Sequence, residues 1–246
     1  ETDVSDKPPH LRAPALNAEV VKSMHDEFRL RVLATKSVDD MVGRIRDTLI
    51  KTGVDQNTFI FFTSDHGYQL GHNRMIAKKV PYHRNTVVPM FVVGPGVTSG
   101  VADQLLAHID LVPTFLDLAG GEAPIQLDGK SWRSLFSNTH EDTANQFRSE
   151  LLIQNWEAKS QLGNLIPASY ASLRMPHEIY TQWSNGEREY YDLASDPYQL
   201  DNRISFLSEE QTLDFSARLR ALKRGSKVPI VTLVCPELIS KNTLIA

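Results

Sequence analysis

An α/β fold follows from three features of the sequence: the edge of an α/β sandwich, then a small antiparallel four-stranded sheet with a packed helix. A helix-periodic stretch is followed by apolar runs that end in turn residues. Four short runs rich in aromatic and β-branched residues come next, and then one amphipathic helix. From Asn17 to about Thr52, Val20, Met24 and Phe28 recur at i, i+4. Val38, Met41, Val42, Ile45 and Leu49 continue the stripe, and Gly53 stops it. "SVDD" (Ser37 to Asp40) either caps a second helix or is run through. Asp39 and Asp40 are assigned to capping, where acidic groups complement the helix dipole.

The later elements are justified in the same way. "NTFIFFTS" reads as a buried strand, Gly67 to Asn85 as a polar loop, and "TVVPMFVVGPG" (Thr86 to Gly96) as a second strand. "HIDLVPTFLDLAGG" (His108 to Gly121) reads as a short helix. After about Glu141 the runs "SELLIQNW", "SYASLRM", "EIYTQWS" and "REYYDL" are separated by turn residues, the pattern of an antiparallel meander. "SEEQTLDFSARLRALKR" (Ser208 to Arg224) is an amphipathic helix, with Ser208 and Gln211 as a capping box.

Composition sets limits on function. The 246 residues are 41% hydrophobic and 23% charged, with a net charge of −4, so no basic field invites nucleic acid. No apolar run approaches the roughly 20 residues that span a bilayer. One cysteine, Cys235, excludes an internal disulfide framework and any multi-cysteine zinc site. The opening "ETDVSDKPPHLRAPALN" is polar and Pro-rich, with no initiator Met and no signal-peptide pattern. It reads as a connector entered in mid-chain, so the chain is expected to be the later part of a longer protein.

"TSDHG" (Thr63 to Gly67) carries the chemistry. Asp65 and His66 sit side by side where a strand ends, and a glycine follows that lets the backbone turn. Successive strand residues point to opposite faces, so both reach one site only if the strand has ended. Sites in open α/β sheets collect at the carboxyl ends of strands. A carboxylate there suits Ca²⁺, and with an imidazole it suits Zn²⁺ equally. The competing reading is a capping Asp and a surface His.

The segment "IFFTSDHGYQLGHNRMIAKKVPYHRNTVVPMFVVGPGV" resembles the sulfatase family in the order of its parts: strand, Ser-Asp-His-Gly, lysine-bearing loop, second strand. "HIDLVPTFLDLAG", "LDGKSW" and "YYDLASDPYQLDN" match further family segments in sequence, and "DVSDKP" looks like the glucosamine-6-sulfatase-like branch. The resemblance implies that residues 1–140 are the C-terminal portion of the catalytic α/β domain. Residues 141–224 are then a small β subdomain with a terminal helix, and 225–246 a divergent tail. It implies hydrolysis of sulfate esters on a sulfated small molecule or glycan, with one Ca²⁺ beside a formylglycine. Asp65 and His66 become metal ligands. Lys78 becomes the catalytic lysine that contacts the sulfate, where its charge offsets charge developing on the ester oxygen. Lys79 is its neighbour and alternative. His72 and His83 become substrate contacts or donors to the leaving group, and Gln69 stands where relatives often have His. Family habit implies a secreted, periplasmic or lysosomal location.

The nucleophile segment Cys/Ser-x-Pro-x-Arg is absent, since "CPELI" at Cys235 has the wrong spacing. The chain alone is therefore expected to be inactive, to bind Ca²⁺ weakly and to be poorly soluble. Two other readings stay open: a zinc phosphoryl hydrolase of the alkaline phosphatase superfamily, and a degenerate, non-catalytic binding module. Trp132, Trp156 and Trp183 are candidates for a sugar site or for the core.

Overall fold

The computed structural model describes residues 3–137, 147–156 and 168–225. Helix α1 spans Ala18–Thr52. The Asn17 side chain accepts from the Val20 N–H at 2.9 Å, and Gly53 ends the helix in the left-handed region at φ 71°. The helix runs straight through "SVDD", so Asp39 and Asp40 lie in mid-helix and exposed rather than at a cap. The apolar stripe continues without a break on both sides of them, and that continuity overrides the local capping signal. Only Met24 of this helix is buried. Phe28, Leu33, Met41 and Ile45 are 46% to 67% exposed.

Strand β1 (Ile60–Thr63) pairs antiparallel with β4 (Met90–Val93), with Ile60 opposite Val93 and Thr63 opposite Met90. Between them the long polar loop is more structured than its composition suggests. It holds the two-residue strands β2 (Gln69–Leu70) and β3 (Ile76–Ala77), paired with each other, and the single turn α2 (His83–Thr86). Helix α3 (Leu111–Ala119) closes on Gly120 at φ 68°. Ahead of it, buried Asp110 accepts from the Lys130 and Ala107 amides at 2.8 Å and pairs with Arg148 through both carboxylate oxygens. Burial alone would raise its pKa. Arg148 and the two amides outweigh that and hold the carboxyl below its usual range.

The four aromatic runs form strands β5 (Leu151–Asn155), β6 (Tyr170–Arg174), β7 (Glu178–Trp183) and β8 (Arg188–Asp192), antiparallel in that spatial order. Their alternation builds two cores. One face sends Leu173 and Tyr180 against Phe215 and Leu219 of α4 (Glu209–Gly225). That helix carries the predicted capping box: Gln211 N–H donates to Ser208 Oγ at 3.1 Å, and Ser208 N–H to Gln211 Oε1 at 2.9 Å. The other face sends Tyr170, Ile179, Trp183 and Tyr191 against Leu11, Met75, Val80 and Tyr82. So the small sheet is packed on one side by its own helix and on the other by the polar loop. Trp132 and Trp183 are buried and Trp156 is exposed. Of the tail 225–246, all but Gly225 lies outside the described residues.

The C-terminal end of α1 borders β4, where Leu49 and Ile50 line one groove with Val93; Val93 and Phe91 are both above 60% exposed. Contiguous apolar surface of this kind drives association. The 246-residue chain on its own is expected to elute as oligomers and to enhance the fluorescence of an apolar dye. A monodisperse monomer without enhancement contradicts this.

Candidate functional site

Asp65 follows the end of β1, and the backbone does turn there, as the Asp-His pair requires. His66 N–H donates to Asp65 Oδ1 at 2.9 Å, and Ser64 Oγ donates to the His66 carbonyl at 2.9 Å. Gly67 serves close approach rather than an unusual φ, since it is not among the glycines at positive φ. A Cβ there would stand 1.8 Å from the Arg84 carbonyl oxygen, and Gly67 N–H donates to the Asn85 carbonyl at 2.9 Å. The Asp-His turn is thus pressed directly onto the backbone of α2, at the far end of the same loop.

Lys78 comes back to this turn. Its ammonium contacts His66 Nε2, and Asp65 Oδ2 lies 3.4 Å from the same nitrogen. His66 Nδ1 is 2.9 Å from the Gly67 carbonyl, which can only accept. That fixes the ring proton on Nδ1 and leaves the Nε2 lone pair for the lysine. Asp65 and His66, neighbours in sequence, therefore meet Lys78 from further along the loop at one point. The Asp65 side chain is 83% exposed and His66 37%, so the point is open to solvent and to a ligand.

His72 and His83 do not join that point. They line a cleft of about 120 Å³ with Asn73, Tyr82, Arg84 and Tyr198. Arg84 stands over the Tyr198 ring, 5.7 Å from its centre. Both histidines have pKa values below the ordinary 6.5: His72 through partial desolvation and Arg84, His83 through desolvation, Arg174 and Arg84. Lys79 has its backbone at φ 72°, with its carbonyl near the Asn155 amide at 3.5 Å. Gln69 is fully buried, and among the described residues no hydrogen-bond partner meets either end of its amide. The sequence did not single out His108, whose Nε2 is 3.3 Å from Thr63 Oγ1 at the end of β1. Nothing in "HIDL" signals that proximity, which arises from the packing of α3.

A calcium ion takes 6 to 8 oxygen ligands. The turn offers one exposed carboxylate, and its imidazole nitrogen is engaged by an ammonium. No group of three or more His, Cys, Asp or Glu side chains placed for a metal occurs among the described residues. Asp65 suits a ligand position, but these residues do not form a calcium site by themselves.

A sulfatase profile matches residues 10–121, and a profile for the C-terminal part of N-sulphoglucosamine sulphohydrolase matches residues 71–224. The chain belongs to the sulfatase family. An arylsulfatase of Volvox carteri is 32% identical over 82% of this chain and 35% of its own length. An N-acetylglucosamine-6-sulfatase of Capra hircus is 29% identical over 87% of this chain and 43% of its own. The chain thus spans less than half the length of these curated relatives. Among solved structures, BT4656 in complex with its substrate D-glucosamine-2-N,6-O-disulfate superposes with a TM-score of 0.62 at 25% identity. The match covers 78% of this chain and 39% of that one. BT1596, a 2-O GAG sulfatase, superposes at 0.66 with 23% identity, over 91% of this chain and 49% of that one, and shows the shared α/β fold.

Two outcomes test this geometry. Gly67→Ala forces a Cβ into the Arg84 carbonyl. It is expected to destabilise the loop by about 1–3 kcal/mol and to expose Lys78, Lys79 and Arg84 to trypsin; an unchanged cleavage rate contradicts the close approach. His83 is expected to titrate below 6.5 by NMR. Between its folded and unfolded pKa values the unfolded chain binds more protons, so stability falls as pH drops through 6.5. His83→Gln should remove that part of the slope, and an identical slope in the variant contradicts it.

Proposed function

We propose that these residues are the C-terminal part of a sulfuric ester hydrolase acting on a sulfated sugar. Its formylglycine nucleophile lies outside this chain. The observation that carries this reading is the meeting of the Lys78 ammonium with His66 beside the exposed carboxylate of Asp65. A cation held where β1 ends suits an anionic substrate group. The names of the relatives, and the glucosamine disulfate in the BT4656 complex, support a sulfated glucosamine as the substrate class.

In this proposal Asp65 gives one carboxylate to a Ca²⁺ site completed by residues beyond this chain, and the ion when bound supplies charge stabilisation for the sulfate. His66 becomes a second ligand only if Lys78 releases Nε2. Lys78 then turns to the sulfate, where its charge offsets that developing on the ester oxygen as the S–O bond breaks. The lowered pKa values of His72 and His83 leave both neutral at pH 7, which suits hydrogen bonds to sugar hydroxyls better than donation to a leaving group. The Arg84–Tyr198 pair gives the same cleft an aromatic wall and a positive rim. One relative is named an extracellular sulfatase, which supports a location in the secretory route or outside the cell.

The test is kinetic, on the polypeptide that joins this chain to the nucleophile. Lys78→Ala is expected to lower kcat on a 6-O-sulfated glucosamine by about 10²–10³, the usual effect of removing one charge-stabilising donor. An unchanged kcat removes Lys78 from the chemistry, and absence of sulfate release by the unaltered protein removes the reading itself.

A further inference from the structure

The loop segment that carries Lys78 packs on the small C-terminal sheet, whereas Asp65 follows the end of β1. We propose that Glu189, in β8, is the positioning residue that aims Lys78, acting through Tyr82; this rests on the role proposed for Lys78.

Glu189 is fully buried, and three hydrogen bonds converge on its carboxylate. Tyr82 OH donates to Oε1 at 2.8 Å, Tyr191 OH to Oε1 at 2.5 Å, and Trp183 Nε1–H to Oε2 at 2.8 Å. Two of the donors belong to the sheet itself, and Tyr82 alone comes from the loop. Burial pushes the Glu189 carboxyl above its usual range, opposed by the hydrogen bonds of Tyr191, Tyr82 and Trp183 and by the charge of Lys7, which is also fully buried and lies over the Tyr191 ring at 5.1 Å. Such a group is costly to bury, and the fold retains it where one of its donors lies four residues from Lys78.

The rest of the loop is fastened to the same subdomain. Met75 and Val80 flank Lys78 and are buried in the core with Ile179, Trp183 and Tyr191. The Lys79 carbonyl meets Asn155 of β5, and the backbone there is held at φ 72°. His83 N–H donates to Gln199 Oε1 at 2.5 Å, and Gln199 is itself buried at φ 57°. The segment from Met75 to His83 therefore has fixed points on both sides of Lys78, and all of them are shared with the sheet or the turn after it. Releasing Tyr82 frees the fixed point that ends on the buried carboxylate. Backbone from 79 to 83 then gains freedom, and the Lys78 ammonium loses its fixed approach to His66.

Two measurements decide this. By hydrogen exchange on the 246-residue chain, Tyr82→Phe and Glu189→Gln should each speed exchange of amides 79–85 by about 5- to 10-fold, the factor set by one net hydrogen bond. The amides of β6 and β7 should keep their rates. Unchanged loop rates overturn the proposal, as does an equal acceleration across the whole sheet, which would mark Tyr82 as ordinary core. In the polypeptide that carries the nucleophile, Tyr82→Phe should lower kcat by about the same 5- to 10-fold with KM little altered. That loss should disappear in a Lys78→Ala background. The same fold-loss in both backgrounds overturns the route through Lys78. Absence of sulfatase activity in the unaltered protein defeats the functional reading alone, because the exchange result still decides whether Glu189 holds the loop.

Discussion

Tyr82 cannot leave the core without stripping a donor from a carboxylate that no water reaches. That hydrogen bond to Glu189 of β8 is one of the contacts that tie the long loop between β1 and β4 to the C-terminal sheet. Two residues beyond Tyr82 the loop presses on Gly67 through the backbone of Arg84 and Asn85, with no room for a side chain between them. The loop is therefore a strut between two parts of the fold. Met75, Val80 and Tyr82 carry its packing, and Lys78 between them carries the charge that reaches His66. This division explains why the loop is polar in composition and still rich in defined structure, including three non-glycine residues at positive φ, Asn73, Arg74 and Lys79. Backbone strain of that kind persists only where surrounding contacts over-determine it.

The electrostatics follow from the strut. An ammonium, an imidazole and an exposed carboxylate meet where β1 ends. His66 acts as the pivot: its Nδ1 proton is committed to the Gly67 carbonyl, so its other nitrogen faces outward as an acceptor. The arrangement holds a cation ready beside a metal-type carboxylate without burying either. The histidine cleft lies further along the same loop, walled by the turn that follows β8. Sugar recognition and charge stabilisation would then share one backbone segment.

Most of the fold was legible in the sequence, for physical reasons that differ by element. The four strands and the capped α4 are fixed by period-two and period-3.6 patterns and by a local cap, all readable within a few residues. The opposite holds for "SVDD", where a local signal lost to the continuous stripe of α1. Asp65, His66 and Lys78 were legible as a set only because their order resembles a family. That they touch depends on the loop's return, which no local pattern encodes. Gly67 illustrates the limit: its need is set by Arg84, far along the loop. Glu189 was not legible at all, since an acidic residue between aromatics in a strand reads as a solvent-facing position. Only the packing of Lys7, Tyr82, Trp183 and Tyr191 around it makes it internal.

The central claim is that these residues complete a sulfatase site whose nucleophile lies earlier in the polypeptide. Sequencing the transcript in frame across and upstream of the Glu1 codon tests it most directly. The account predicts a Cys or Ser in a Cys/Ser-x-Pro-x-Arg segment, with an aspartate pair ahead of it. A Ser or Thr nucleophile among zinc-type ligands would contradict it in favour of phosphoryl transfer. A start codon immediately before Glu1, preceded by an in-frame stop, would contradict it in favour of a binding module.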